Sequence, residues 1–314
     1  MCSDRKSAIA SLVNNHSSQE YHPEDNYSNV VNADGEYLGP YIPYIGKSYF
    51  KTKPRLLIYA MAQNLNRAEG LVRSWLDSPD KGMRRQHRSA DTTHVHVYPY
   101  DNGHLKVIAA LVLNSYPGTH YKPTDNIDDL VVITNFIKFS FYREDKKGNR
   151  LDANPPLGIY DIMWELYCKY EVSVLQPNII IGVGNEVANA LERNLKTEQG
   201  LKSLMFRVPF PGRLNLNSRW VPKGKLLIET KKHDPAIDIT EMKALLKGTP
   251  DKKGRVDRAI KTDWYYLREM KSYIAKEMKI WVYGASKRGF APLLILPPPL
   301  SREGDKGGGL PYKE

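Results

Sequence analysis

The feature that most constrains the fold is a repeated alternation between short apolar runs and segments of helical character. Apolar runs bounded by turn-forming residues predict strands at 55–61, 94–98, 129–135, 178–184 and 204–208. Between them, apolar spacing and cap-like residues predict helices at 66–76, 105–113, 160–174 and 186–194. Mostly apolar strands separated by helices are typical of a parallel sheet covered on both faces. The sequence therefore predicts an α/β fold with three α/β/α layers and a mainly parallel central sheet.

The strand ends are the expected place for a binding site. In an open α/β sheet, ligands bind beyond the carboxyl ends of the strands. We therefore expect three loops to converge there, at 62–66, 135–143 and 209–220.

The domain organisation follows from length and from a change of character after Val221, where Lys-rich segments begin. One α/β domain with insertions, or a core domain with a basic annex, would both suit 314 residues. We predict four parts, namely an N-terminal segment that wraps the domain, the α/β core, a basic C-terminal extension packed on that core, and a flexible tail, at 1–50, 51–222, 223–300 and 301–314. The first part includes a short helix near 7–15.

Several classes of protein are excluded by composition. No apolar run reaches the roughly 18 residues of a membrane-spanning helix, and the N-terminus lacks the apolar stretch of a secretory signal. A cytoplasmic protein is therefore expected. Cys2 and Cys168 are too few for a four-thiolate metal site, and Cys168 lies on an apolar helix as core residues do. His94 and His96 resemble a metal-ligand pair but have no accompanying acidic cluster, so we expect neither a metal nor a cofactor.

The charge balance points to an anionic partner. Lys and Arg number 46 against 35 Asp and Glu, a net charge of +11, and nucleic acid is the commonest intracellular polyanion. Cations and aromatic residues occur together in one C-terminal stretch that suits a phosphate backbone or stacked bases, formed by Lys252, Lys253, Arg255, Arg258, Lys261, Trp264, Tyr265 and Tyr266. A solvated helix face would have a similar composition, and a merely soluble basic protein is the alternative.

Two segments resemble the middle of the uracil-DNA glycosylase superfamily. The first is VITNFIK followed by FSFYR at 132–143, and the second is LQPNIIIGVGNEVA at 175–188. In the bacterial and archaeal iron–sulfur branch, a strand ends in a similar Ile-Thr-Asn segment with a lysine shortly after it. A Leu-x-Pro turn then leads into a strand and a glycine-rich helix start. The resemblance covers approximately residues 38–220 and implies a uracil-DNA glycosylase-like fold acting on DNA, and we expect a monomer.

The resemblance gives Asn135 the role of base reader. Its side-chain amide offers an acceptor and two donors, which can pair with the edge of a pyrimidine swung out of the duplex. Thr134 and Lys138 also stand at positions that match the family's segment. We further assign Phe136 to the base site and Lys138 to DNA contact. The alternative is that Asn135 only caps the turn after the strand.

The loop after the first strand departs from the family pattern. Family members place an Asp, Asn or Glu there to hold or deprotonate the attacking water. Here the nearby polar groups are Gln63, Asn64 and Asn66, none of them a strong base, so their expected catalytic role is to orient water. Asn66 could equally cap the following helix.

A second departure lies in the segment RVPFPGR at 207–213, where Phe210 stands in place of the family's histidine. Replacement donors could come from Arg213, Asn215 and Asn217, and the gap left by the flipped nucleotide could be filled by Leu214 or Trp220. We also assign DNA contact to Leu214, Asn215 and Arg219. For Arg213, base binding and an exposed phosphate contact remain equal alternatives.

Together these features predict a monofunctional DNA glycosylase that extrudes a pyrimidine and hydrolyses its N-glycosidic bond, leaving an abasic site. Both departures alter groups that fit closely around uracil, so the expected base is modified or bulky. The resemblance suggests glucosylated hydroxymethylcytosine of phage DNA, and hence anti-phage defence. The main alternative is a catalytically silent DNA-binding or lesion-sensing protein, and a third is a hydrolase of free nucleosides.

Overall fold

A computed structural model describes residues 4–30, 32–33, 36–37, 40–62, 102–197, 204–208, 235–251 and 253–262, together with 264, 267–268, 271–272 and 274–276. The predicted helix at 66–76 and the predicted strand at 94–98 lie outside these residues.

The regular elements alternate along the chain as the sequence predicts. The helices are α1 (Arg5–Ser18), α2 (Gly103–Ser115), α3 (Ile127–Leu130), α4 (Ile159–Met163), α5 (Lys169–Leu175), α6 (Asn185–Thr197) and α7 (Pro235–Leu245). A π-helical segment, Trp164–Cys168, joins α4 to α5. The strands are β1 (Asn32–Ala33), β2 (Glu36–Tyr37), β3 (Tyr44–Ile45), β4 (Leu56–Ala60), β5 (Val132–Asn135), β6 (Tyr142–Glu144), β7 (Arg150–Asp152), β8 (Ile179–Val183) and β9 (Leu204–Val208).

The main sheet has, among the described residues, the strand order β3-β5-β4-β8-β9. Strands β5, β4, β8 and β9 are parallel, and only the short edge strand β3 runs antiparallel to its neighbour. This arrangement confirms the prediction of a mixed α/β protein with a mainly parallel sheet. Two further antiparallel pairs, β1-β2 and β6-β7, lie outside the sheet.

The order of the parallel strands creates a topological switch point. The chain passes from β4 to β5 on one side and then returns to place β8 on the other side of β4. Adjacent connections that leave a parallel sheet in opposite directions open a crevice beyond the carboxyl ends of the strands. The switch point here lies between β4 and β8, with β5 directly beside β4.

Helices cover both faces of the sheet because its strands are mostly apolar. All five residues of β4 are buried, with Leu56 and Ile58 facing a core built around α2, and Leu57 and Tyr59 facing a core that includes α1, α4 and α6. Alternate side chains of a strand point to opposite faces, so one apolar run supplies both cores. This explains why the predicted strand at 55–61 is confirmed with little change in its bounds.

Two predicted elements have different limits in the structure. The predicted strand at 129–135 begins only at Val132, because Asn126 caps a short helical turn before it by accepting a hydrogen bond from the Asp128 N–H at 3.1 Å. The predicted helix at 160–174 is interrupted by the π-helical segment. Such segments are rare and often occur at functional sites.

The described C-terminal residues pack on α2. Met242 near the end of α7, and Val256 and Ile260 in a helical stretch that begins at residue 255, belong to the same core as α2. A Cβ on Gly103 would come within 2.2 Å of the Arg255 carbonyl oxygen, so this close approach requires glycine at the start of α2. Within the described chain, every helix is too short or too polar to cross a membrane.

Candidate functional site

The carboxyl ends of β4 and β5 lie side by side. Ala60 is the register partner of Asn135. Beyond the strands, the Phe136 N–H donates to the Ala60 oxygen at 2.7 Å and the Ile137 N–H donates to the Met61 oxygen at 2.8 Å. The turn after β5 therefore continues along the end of β4, where the first predicted loop begins.

The predicted base reader occupies this edge. Asn135 is the last residue of β5 and only 3% exposed. Phe136 is fully buried, with its ring centroid 5.5 Å from that of Tyr59 in an edge-on arrangement and 5.9 Å from that of Tyr160 in a stacked one. The Phe136 ring therefore belongs to the core at this end of the sheet.

A buried polar cluster lies under the turn. It consists of His16, Tyr59, Lys138 and Glu171, and we call it the Glu171 cluster. The Lys138 ammonium is 2.6 Å from Glu171 Oε1, the His16 Nε2–H donates to the same oxygen at 3.0 Å, and the Tyr59 hydroxyl donates to Glu171 Oε2 at 2.8 Å. All four side chains are shielded from solvent. One carboxylate is thus surrounded by three donors, as burial of a charge requires.

The protonation states follow from burial and partners. Burial alone would raise the pKa of Glu171, but the Lys138 ammonium and the His16 hydrogen bond outweigh it and hold this pKa below its ordinary value. Burial lowers the pKa of His16, so its imidazole is neutral near pH 7. Burial, and then the Glu171 charge, raises the pKa of Tyr59, which keeps its hydroxyl a donor. The cluster is therefore a single ion pair with two neutral donors.

The cluster fixes the main chain at the candidate site. The Lys138 ammonium also donates to the Asn135 carbonyl oxygen at 2.7 Å. From the π-helical segment, the Cys168 thiol donates to the Phe136 carbonyl oxygen at 3.3 Å. Burial raises the pKa of this thiol, so Cys168 is an inert core group, as the sequence indicates. Two successive carbonyl groups of the turn are thus held from inside the protein.

The predicted DNA contact at Lys138 is wrong. The side chain is 0% exposed, and its ammonium is engaged by Glu171 and by the Asn135 oxygen, so it cannot reach a phosphate at the surface. The neighbours Phe136, Ile137 and Phe139 were the available signal, because a lysine among apolar residues after a buried strand is a candidate for burial. Sequence reasoning missed the partners of Lys138 altogether.

A carboxylate at the end of β8 also escaped notice. Gly184 turns the chain from β8 into α6 with φ +91°, and Glu186 is exposed in the first turn of that helix. Burial, and secondarily the Glu186 charge, raises the pKa of Tyr160, which stacks on Phe136. Tyr160 of α4 therefore contacts the turn after β5 and is affected by the carboxylate that follows β8.

The remaining predicted site residues divide into two groups. Outside the described residues lie Gln63, Asn64, Asn66, Phe210, Arg213, Leu214, Asn215, Arg219 and Lys252. The side chains of Lys253, Arg255 and Arg258 are exposed. Near them, Asp257 forms ion pairs with Lys243 and Lys261 that hold the pKa of its carboxyl below the ordinary value. This face carries both signs of charge.

Among the described residues, His, Cys, Asp and Glu side chains do not gather in a group of three or more that could hold a metal ion. The predicted pair His94 and His96 lies outside that part of the chain.

Comparison with protein-family models, with curated proteins and with solved structures finds no match to this chain.

Proposed function

We propose that this protein is a monofunctional DNA glycosylase with a uracil-DNA glycosylase-like fold. The observation that carries the proposal is the position of Asn135, an amide side chain at the carboxyl end of a buried parallel strand, on a main chain anchored by Lys138. A rigidly held amide can discriminate a nucleobase edge because it offers donors and an acceptor in fixed positions.

The topology supports the proposal. Among the described residues, the parallel strands β5, β4, β8 and β9 stand in the order second, first, third, fourth along the chain, which is a doubly wound order with its switch point between β4 and β8. Asn135 ends the strand next to β4, at the carboxyl ends of the parallel strands, where an α/β sheet binds ligands. The segment with the closest sequence resemblance is thus also the segment at the expected ligand edge.

The proposed reaction needs few groups. The bond between the base nitrogen and C1′ of the sugar breaks, and the base leaves with the bonding electrons and takes up a proton. A water oxygen bonds to C1′ and loses one proton. Asn135 holds the edge of the base, while Asn64 and Asn66, with Gln63 less favoured, orient the water. Phe210 and Arg213 complete the base pocket in this proposal.

The proposed substrate is a modified or bulky pyrimidine, for example glucosylated hydroxymethylcytosine in phage DNA. Phe210 supports this choice, since it stands in place of the family's histidine, and the altered loop after the first strand supports it too, because both segments fit closely around uracil in the family. Because Asn135 is 3% exposed, an entering base has to displace the chain that covers it. We place this activity in the cytoplasm, with DNA as the partner and a monomer as the active form.

The decisive experiment measures abasic sites in duplexes that carry uracil, hydroxymethylcytosine or its glucosylated form, by strand cleavage after alkali. We expect excision of one of these bases, and a loss of about 100-fold in rate for Asn135→Ala, because an oriented amide is removed from the reacting base. Asn14→Ala, an exposed change on α1, is the matched control and should excise like the wild type. Absence of abasic sites on all three duplexes would refute the enzyme proposal.

A second candidate function is a catalytically silent DNA-binding or lesion-sensing protein on the same fold. The polar residues at 60–66 are all amides, with no carboxylate among them, and Phe210 stands where the family has a histidine. Both departures favour a silent DNA-binding protein. This protein would bind duplexes with a mispaired or modified base more tightly than matched ones and would leave no alkali-sensitive site. Asn135→Ala would then abolish the preference for the modified base while binding to matched duplex persisted.

A further inference from the structure

The β6–β7 hairpin, residues 142–152, follows directly on the turn after Asn135. Its strands pair with Tyr142 opposite Asp152, Arg143 opposite Leu151 and Glu144 opposite Arg150. From Arg143 to Asp152 every side chain except that of Asp145 is exposed. The hairpin therefore lies at the protein surface and begins seven residues after Asn135 along the chain.

The base of the hairpin is firmly attached. The Tyr142 N–H donates to the Asn29 oxygen and the Asn29 side-chain amide donates to the Tyr142 oxygen, each at 2.9 Å. The Ala153 N–H donates to the oxygen of Phe141, which is buried and bridged to Val30. Contacts within the core thus end at Phe141, and the residues beyond it stabilise only each other.

One acidic group of the hairpin, that of Asp145, is engaged within the turn. Asp145 accepts hydrogen bonds from the Lys147 N–H at 2.8 Å and from the Asn149 N–H and side-chain amide, each at 2.9 Å, and these bonds lower the pKa of its carboxyl. Glu144 faces Arg150 across the strands, and the Arg150 guanidinium lies 4.3 Å from the centre of the Tyr142 ring.

Three cations remain available. Arg143, Lys146 and Lys147 form no ion pair with any residue that the structure describes. Lys146 and Lys147 lie at the turn, and Arg143 shares one face with Leu151, which is 37% exposed. A lone two-stranded hairpin is marginally stable in water, and the exposed side chains of this hairpin add no buried apolar surface. Packing of the core therefore does not explain why these positions are charged.

We propose that the β6–β7 hairpin grips the phosphate backbone of DNA beside the extruded nucleotide, through Lys146, Lys147 and Arg143. This inference rests on the proposed function for its choice of DNA as the partner. The hairpin is suited to the role because it continues the segment that carries Asn135, so a duplex presenting a base to that edge passes close to it. Unpaired lysine and arginine side chains bind phosphates and release counterions.

The test compares two double variants with the same change of net charge. Lys146→Ala/Lys147→Ala removes the cations at the turn but keeps the main-chain N–H that Asp145 accepts. Lys51→Ala/Lys122→Ala removes two exposed cations near the amino ends of the strands, opposite the end that carries Asn135. Lys51 ends the turn before β4, and the loop of Lys122 is tied there by the hydrogen bond from the His120 N–H to the Lys53 oxygen at 3.0 Å.

The readout is the Kd for a duplex that contains a tetrahydrofuran abasic analogue, measured from about 0.05 to 0.2 M salt. For the hairpin variant, we expect the slope of log K against log salt to fall by about 2 and the affinity at 0.1 M salt to fall about tenfold. The control variant should keep the wild-type slope. Unchanged binding by the hairpin variant, or an equal loss in both variants, overturns the proposal.

Failure of this inference is distinguishable from failure of the proposed function. If the wild type excises a base and the hairpin variant binds and excises equally well, only the inference fails. If the wild type excises nothing, yet binding depends on the hairpin and not on the control pair, the glycosylase proposal fails and the DNA-binding surface remains. Thermal unfolding of both variants verifies that each is folded.

Discussion

Two regions on either side of the turn after β5 use the same residue types in opposite ways. In the Glu171 cluster, lysine and glutamate are fully buried and surrounded by donors. In the β6–β7 hairpin, lysine, arginine and glutamate are exposed. The contribution of a charged side chain to the stability of this protein therefore depends on whether it is buried or exposed. A buried pair is expensive to break and fixes geometry, whereas exposed charges contribute little stability and remain available to a partner.

The two regions also differ in how they relate to Asn135. Lys138 contacts the Asn135 carbonyl oxygen directly, so the Glu171 cluster acts on the position of the site. The hairpin makes its described contacts with Asn29 and with its own residues, so it can vary with little effect on the turn. Variants in the first region should therefore change stability, and variants in the second should change binding.

The largest expected effect is that of Glu171→Gln. Removing the carboxylate charge leaves the Lys138 ammonium buried without its counter-ion, which costs about 3–5 kcal/mol in the free energy of unfolding. Denaturant titration measures this value. Glu165→Gln breaks an exposed pair with Lys169 and should cost less than about 1 kcal/mol.

A second variant shows whether the charge or the shape of the cluster matters. In Lys138→Met/Glu171→Leu both charges are replaced by apolar groups of similar size, which is often tolerated in a core. We expect this double variant to be more stable than Glu171→Gln by at least about 1 kcal/mol. Equal destabilisation by Glu171→Gln and Glu165→Gln would mean that the buried pair contributes nothing special, and the contrast between the two regions would be lost.

A smaller effect is expected from pH. Because the pKa of His16 is lowered in the folded protein, its contribution to stability is complete above the unfolded value of about 6.5 and is lost as pH falls below it. The free energy of unfolding should therefore fall by up to about 1.4 kcal/mol per pH unit below about 6.5. Glu171, whose pKa is also lowered, adds a loss at more acidic pH, below its unfolded value near 4.5.

His16→Gln isolates this effect, since the glutamine amide can still donate to Glu171 but does not titrate. Its stability should change less between pH 7 and 5 than that of the wild type, in denaturant titrations at each pH. His120→Gln, at an exposed position, is the control and should follow the wild-type profile. An identical profile for His16→Gln and the wild type contradicts the assignment of a buried neutral imidazole.

The smallest effect on stability is expected in the hairpin. Lys146→Ala/Lys147→Ala should change the free energy of unfolding by less than about 0.5 kcal/mol, since exposed side chains without partners contribute little. The same variant carries the expected change in DNA affinity. A destabilisation above about 2 kcal/mol would show that the hairpin supports the fold, and the two regions would no longer differ in kind.

The sequence predicted those parts of the fold that depend on local pattern. The apolar runs of β4 and β8 and the apolar helix α2 are recognisable from sequence, because each buries nearly all its side chains. The predicted strand at 129–135 includes the end of the helical turn Ile127–Leu130, since apolar and acidic residues just before a strand resemble its start. For the candidate site, the sequence predicted Asn135 at a strand end but assigned Lys138 to the surface.

What the sequence determined by itself is the class of fold, a mixed α/β arrangement with a mainly parallel sheet, and the strand end that carries Asn135. Only the tertiary structure decided that Lys138 is buried and that its partners are Glu171, Tyr59 and His16. The physical reason is that periodicity and capping act between residues close together in the chain, whereas His16 and Glu171 are 155 positions apart. The environment of such a pair exists only once α1 and α5 have packed against the sheet.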